Sequence, residues 1–241
     1  MLILYYNQKA FQHLAKRGRF VTILQHTSIT DTMEAIGTHY INFFWSQPEL
    51  PELAINCLKS FQAHGHTCRV WAYDEITNLP ESVNRADANQ IMPFDETISI
   101  RNFSDIFRLK MLIAVGGWWS DLDNYCIRAL DIKGKYVFPR YGRSINNNIL
   151  KAPKNTKLFT EILKNEQKYN FEKLEEYINK HKLSKYVYDD KYFNPLRTNL
   201  TGEPVAETYT VHLFASNNNK TSILKTIEKW KKLPEQKNQL S

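Results

Sequence analysis

Two short runs of large apolar residues, separated by a stretch with helical spacing, constrain this chain more than any other feature. Tyr40-Ile41-Asn42-Phe43-Phe44-Trp45 is mostly aromatic and β-branched and reads as a buried strand. Ser46-Gln47-Pro48 breaks it, and Leu53, Ile55, Leu58 and Phe61 then recur close to helical spacing over 52–64. Gly65 is a natural stop, and Arg69-Val70-Trp71-Ala72-Tyr73 reads as a second strand. A strand–helix–strand order implies a mostly parallel sheet flanked by helices, hence an α/β fold. Ligands of such sheets bind beyond the carboxyl ends of the strands, where Ser46-Gln47 and Tyr73-Asp74 are expected.

The 241 residues suit one α/β domain over 39–241, preceded by an extension over 1–38 of uncertain structure. No apolar run approaches the roughly 20 residues that span a bilayer. The apolar start, Met1 to Tyr6, is too short for a secretory signal, so a cytoplasmic protein is expected. Cys57, Cys68 and Cys126 lack metal-binding spacing and are odd in number, which argues against a disulfide framework or a zinc site. The net charge of +7 favours anionic partners. The excess gathers only at Lys220, Lys225, Lys229, Lys231, Lys232 and Lys237, on an expected basic helix over 221–232. That helix is either a solvated face or a peripheral contact with the anionic inner membrane face.

The segment 103–123 carries the most information. Ser104 is a candidate N-cap for a helix through Val115, and that helix is apolar on most sides, as a buried helix is. Gly116-Gly117 ends it, and Trp118-Trp119-Ser120-Asp121-Leu122-Asp123 reads as a strand running into a polar edge. Further on, Tyr136 to Phe138 and Thr208 to Phe214 read as strands and 156–181 as helical.

Asp105 and Arg108 share one face of the buried helix. Either they pair with each other, or they form a polar stripe aimed at a ligand's hydroxyl and phosphate groups. Asp121 and Asp123, at alternate strand positions, face one way and repel unless a cation joins them. Oxygen ligands of this kind suit Mg²⁺ or Mn²⁺ with substrate phosphates. His212 on the late strand is a core histidine by default, and Asn146-Asn147-Asn148 a turn.

Ser104-Asp105-Ile106-Phe107-Arg108, followed by Gly116-Gly117-Trp118-Trp119-Ser120-Asp121-Leu122-Asp123, resembles the signature of family-32 glycosyltransferases. That family spans capsular polysaccharide and mannosyl transferases and is distantly similar to toxin glucosyltransferases. Weaker similarity runs over roughly 40–216, including Val70 to Asp74, Asn147-Asn148, Ala152-Pro153-Lys154 and Thr201-Gly202. The resemblance implies a GT-A fold, a nucleotide-sugar donor, Mn²⁺ (or Mg²⁺) and retention of anomeric configuration. By position it implies metal ligation by Asp123, with Asp121 at the ribose, the sugar or a metal-bound water. Asp105 and Arg108 would then hold the donor sugar, and Phe44 and Trp45 would stack on the base unless they are simply core. Tyr73 and Asn148 would complete the donor site, and His212 would be a late ligand to the metal or diphosphate. The sequence departs from the family at Ser120, where an apolar residue is usual, and at Ser216 to Asn219, where a tryptophan is expected.

The reaction so implied is transfer of a hexose-type sugar, with a UDP-linked donor favoured, to a glycan or lipid-linked saccharide. Catalysis is assigned to Asp121, Asp123 and Arg108. A protein-modifying transferase and a non-catalytic sugar-nucleotide or glycan-binding module are the alternatives. A glycosidase needs its two carboxylates on opposite sides of the bond, which two acids sharing a face do not offer. No nucleic-acid partner is expected, since the basic residues form no single stripe and no recognition motif is visible.

Overall fold

The computed structural model describes residues 40–165 and 173–231, all within the compact unit Ile36–Ser241. The expected extension over 1–38, Lys232 and Lys237 lie outside the described residues. In chain order the elements are β1 (Tyr40–Phe44), α1 (Glu52–Ala63), β2 (Thr67–Ala72), β3 (Asn84–Asp87), α2 (Ile100–Val115), β4 (Gly117–Ser120), β5 (Asn124–Cys126), β6 (Phe138–Tyr141), β7 (Ser144–Ile145) and β8 (Ile149–Ala152). Then come α3 (Lys157–Asn165), α4 (Leu174–Lys180), β9 (Val187–Tyr188), α5 (Asp190–Phe193), β10 (Thr210–His212) and α6 (Lys220–Lys231).

The central sheet has five strands in the order β3-β2-β1-β4-β8. β1, β2, β3 and β4 pair in parallel, and β8 closes the edge antiparallel to β4. Alternation along the strands divides the core into two layers. Ile41, Phe43, Cys68, Val70 and Trp118 point to one face, against Ala54, Leu58 and Phe61 of α1. Phe44, Trp71 and Trp119 point to the other, against Phe103 and Phe107 of α2 and the buried residues of α3 and α4. The expected α/β class, mostly parallel and flanked by helices, is the architecture observed. Burial of aromatic side chains of this size drives the assembly, at about 25 cal/mol for each Å² of apolar surface removed from water.

Three local readings need correction. The helix expected from Ser104 begins five positions earlier. Ser99 is its N-cap, accepting the Asn102 N–H at 3.4 Å, while the Ser104 carbonyl and hydroxyl serve Arg108. The strand expected through Asp123 stops at Ser120, and Asp121 to Asp123 form a turn closed by the Asn124 N–H on the Asp121 carbonyl, 3.2 Å. The helical stretch expected over 156–181 is two helices, α3 and α4, with 166–172 outside the described residues.

The turn between α2 and β4 depends on glycine. Gly116 has φ 70° and ψ −164°, a region nearly closed to other residues. A Cβ there would lie 2.5 Å from the Lys154 backbone nitrogen. This close approach lets β4 run back along the sheet and deliver Asp121 to its carboxyl edge. No described helix is long and apolar enough to cross a membrane.

Candidate active site

A cavity of about 530 Å³ opens at the carboxyl edge of β1 and β4, beside the first two turns of α2. Phe44, Trp45, Pro51, Leu53, Ala54, Leu122 and Ala215 give it apolar walls. Its charged groups are Arg101, Asp105, Arg108, Asp121 and Asp123, with His212 among them.

Asp121, Asp123 and His212 converge, each offering one ligand atom, with those atoms within 4.8 Å of one another. The turn after β4, rather than a continuous strand, turns both carboxylates inward. β5 pairs antiparallel with β10 in a register that sets His212 opposite Asn124. His212 Nε2 therefore reaches Asp123 Oδ2 at 3.3 Å, and the Ala215 N–H donates to the same oxygen at 3.0 Å.

Arg108 lies beneath this cluster, buried at 4% exposure. Its guanidinium reaches Asp105 at 3.0 Å and Asp121 at 3.3 Å, donates to the Asn147 carbonyl at 2.5 Å, and lies over the Trp119 ring. Of the ion pair or the polar stripe that the sequence left open, the structure shows the pair closed, with both members lining the cavity. Arg108's donors are taken up by protein groups, so it orients the two carboxylates rather than offering free N–H groups. Among the described residues Arg108 and the Asn147 amide, at 2.9 Å, both meet Asp105 on Oδ1. Trp119 Nε1 donates to Asp121 at 2.9 Å.

The electrostatics follow from this packing. Burial pushes Asp121 up to about 6, against the lowering pull of Arg108 and with the further push of Asp123. Burial alone would raise Asp123 too, but His212 and the Ala215 N–H hold it below the usual carboxylate range. Burial would lower His212, and the Asp123 carboxylate, its hydrogen bond and Asp121 outweigh that and raise it. His212 Nδ1 is buried with no partner among the described residues. Two acids and an imidazole thus crowd together with a positive charge in deficit, and their O,O,N donor set could hold a metal ion.

Other expected site residues are divided. Phe44 and Trp45 both line the cavity, but Phe44 is also core, stacked on Phe107 at 4.6 Å between ring centres. Trp45 is half-buried, its Nε1 fixed on the Glu49 carbonyl at 2.8 Å. Tyr73 and Asn148 are not among the lining residues. The Tyr73 ring packs on Phe44, Phe94 and Phe103, with its hydroxyl donating to the Met92 carbonyl at 2.8 Å. Asn148 is fully buried behind the Asp121 turn. Its neighbours Asn146 and Asn147 reach the cavity instead.

Sequence reasoning missed Arg101, the Trp119 indole N–H and the Ala215 backbone N–H. Arg101 sits a helical turn before Asp105, and that spacing could have flagged it. A backbone donor leaves no trace in sequence. Cys57, Cys68 and Cys126 are free buried thiols.

No protein-family model matches the chain, nor does any curated protein. Among solved structures it is similar to the PaToxG glycosyltransferase, with TM-score 0.49 and 12% identity over 61% of this chain and 69% of that one. It is also similar to the apo-form glycosyltransferase GlyE of Streptococcus pneumoniae TIGR4, with TM-score 0.40 and 13% identity over 64% and 46%.

Proposed function

We propose that this protein is a metal-dependent glycosyltransferase with a GT-A-type layout, moving a hexose-type sugar from a nucleotide sugar, a UDP sugar in the first instance, to a saccharide or lipid-linked saccharide. The observation that carries the reading is the convergence of Asp121, Asp123 and His212 at a cavity that Asp105 and Arg108 also line.

Asp123, Asp121 and His212 would hold the cation. When bound, the cation supplies charge to offset what builds on the departing diphosphate. Asp105 accepts a hydroxyl of the donor sugar. Arg108 fixes Asp105 and Asp121 in a low-exposure setting, so both carboxylates are held in place for the donor. Trp45 offers an aromatic face for the base, in the manner of base–aromatic stacking. The apolar walls exclude water, which protects the activated sugar from hydrolysis. No side chain is assigned as a covalent nucleophile, and retention of configuration is proposed on resemblance alone.

The test is a thermal-shift panel of nucleotide sugars with and without Mn²⁺, on the wild type and Asp123→Ala. A donor should raise the melting temperature only with the cation present, and not in the variant. Sugar release from the same donor with a saccharide acceptor then reads the transfer. A variant as responsive and active as wild type would refute the assignment.

A further inference from the structure

Behind the Asp121–Asp123 turn lie three asparagine side chains, Asn124, Asn148 and Asn194, each at 1% exposure or less. They touch in sequence. Asn148 Nδ2 donates to Asn124 Oδ1 at 2.8 Å and to Asn194 Oδ1 at 3.0 Å. An amide can be turned end for end, but here backbone carbonyls fix each orientation. Asn124 Nδ2 faces the Asn148 carbonyl at 2.8 Å, and also reaches Ser120 Oγ at 3.0 Å. Asn194 Nδ2 faces the Arg140 carbonyl at 3.0 Å. A carbonyl only accepts, so both outer amides must point their oxygens at Asn148. The middle residue must then supply two N–H groups from one atom, which among short side chains only asparagine does. Asn148 Oδ1 is left buried with no partner among the described residues. An apolar filler would instead leave the Asn124 and Asn194 oxygens unpaired, so the two N–H groups have the task of holding both outer amides.

That task lies at the turn. The Asn148 carbonyl accepts the Asp121 N–H at 2.7 Å as well as the Asn124 amide, and the Asn124 N–H closes the turn. Both ends of the turn are thus referenced to one residue. The preceding residue, Asn147, binds Asp105 through its amide and Arg108 through its carbonyl. One loop therefore sets the sugar-facing pair and the cation-facing pair in relation to each other. At its far end the ladder is anchored on β6 and just past α5, outside the cavity.

We propose that Asn124, Asn148 and Asn194 form a one-way amide ladder of positioning residues that holds the Asp121–Asp123 turn in the shape its cation requires. This rests on the proposed function, and it deepens that reading by naming what orients the ligands. Outer-shell partners of this kind are commonly worth 10–100-fold in metal affinity, by order of magnitude.

The test is Mn²⁺ titration of the full chain by electron paramagnetic resonance, with thermal unfolding measured beside it. Asn194→Ala removes the distal rung, which does not line the cavity. Asn148→Asp keeps the side-chain shape and turns the double donor into an acceptor. Thr156→Val, a buried site whose hydroxyl meets Tyr136 at 3.0 Å, serves as the control for lost stability. The expected result is about tenfold or greater weakening of Mn²⁺ binding in folded Asn194→Ala, more in Asn148→Asp, and wild-type affinity in Thr156→Val. Either ladder variant suffices if the other does not fold. Mn²⁺ affinity within twofold of wild type in a folded ladder variant overturns the proposal. So does failure of both to fold, since the ladder would then be holding the fold rather than the cation. If the wild type binds Mn²⁺ and the variants do so equally, only the ladder falls. If the wild type binds none, the proposed function falls and takes the ladder with it.

Discussion

Replacing Arg108 by methionine should move the pH at which the protein loses its cation. Asp121 stands at about 6 although Arg108 pulls it down from 3.3 Å. A ligand that must shed a proton loses affinity by the factor 1 + 10^(pKa − pH), so wild-type Mn²⁺ affinity should fall about tenfold from pH 7 to pH 5. His212, raised above its ordinary value, also has a proton to lose, which steepens the fall. Removing the guanidinium withdraws a charge worth roughly 5 kcal/mol at 3.3 Å and an effective dielectric of 20. Asp121 is about a quarter exposed, which discounts this to roughly 1.5–3 kcal/mol, or about one to two pH units. The midpoint of the affinity profile should rise by that amount. Mn²⁺ dissociation constants measured between pH 5 and 8 on both proteins, with folding checked by circular dichroism, decide it. An unchanged midpoint in folded Arg108→Met would refute the role given to the ion pair.

Three further outcomes follow from the same geometry. Trp119→Phe removes one indole donor from Asp121, so Mn²⁺ affinity should weaken by roughly two- to tenfold, read in the same titration. Gly116→Ala should cost about 3 kcal/mol or more in urea unfolding, because the added carbon meets backbone at 2.5 Å in a strained φ/ψ region. Cys68 and Cys126 are pushed by burial up to about 12, from near 9. Above pH 9 the unfolded chain gives up these protons and the native state keeps them, so stability should fall as pH rises. The slope is about 1.4 kcal/mol per unit per thiol up to pH 12, and a Cys68→Ala/Cys126→Ala protein should show a flatter urea-midpoint profile.

The parts of the fold legible in sequence were those with a strong local period. β1, α1 and β2 follow from aromatic alternation and helical spacing, and Gly116 from its place after a buried helix. β3 reads Asn84-Arg85-Ala86-Asp87, too polar to signal a strand, and pairs only because β2 presents an open edge. The first turn of α2 was missed because Ile100 and Arg101 are exposed and break the apolar pattern. At the site, Asp121 and Asp123 were legible as a pair, but on a mistaken strand geometry; the turn unites them. Tyr73 illustrates the limit of edge reasoning: it stands at the carboxyl end of β2, yet its ring packs on Phe44, Phe94 and Phe103 and does not line the cavity. The Asn146–Asn148 run looked like a turn, and Asn146 does cap the next backbone N–H locally, but the partners of Asn147 and Asn148, Asp105 and Asn194, lie far away in the chain.

The most direct test of the cation site is anomalous scattering at the manganese edge from crystals soaked in Mn²⁺ and UDP. A peak is expected between Asp121, Asp123 and His212, in contact with the diphosphate. A peak elsewhere, or UDP seated in the cavity with no metal peak, would contradict it.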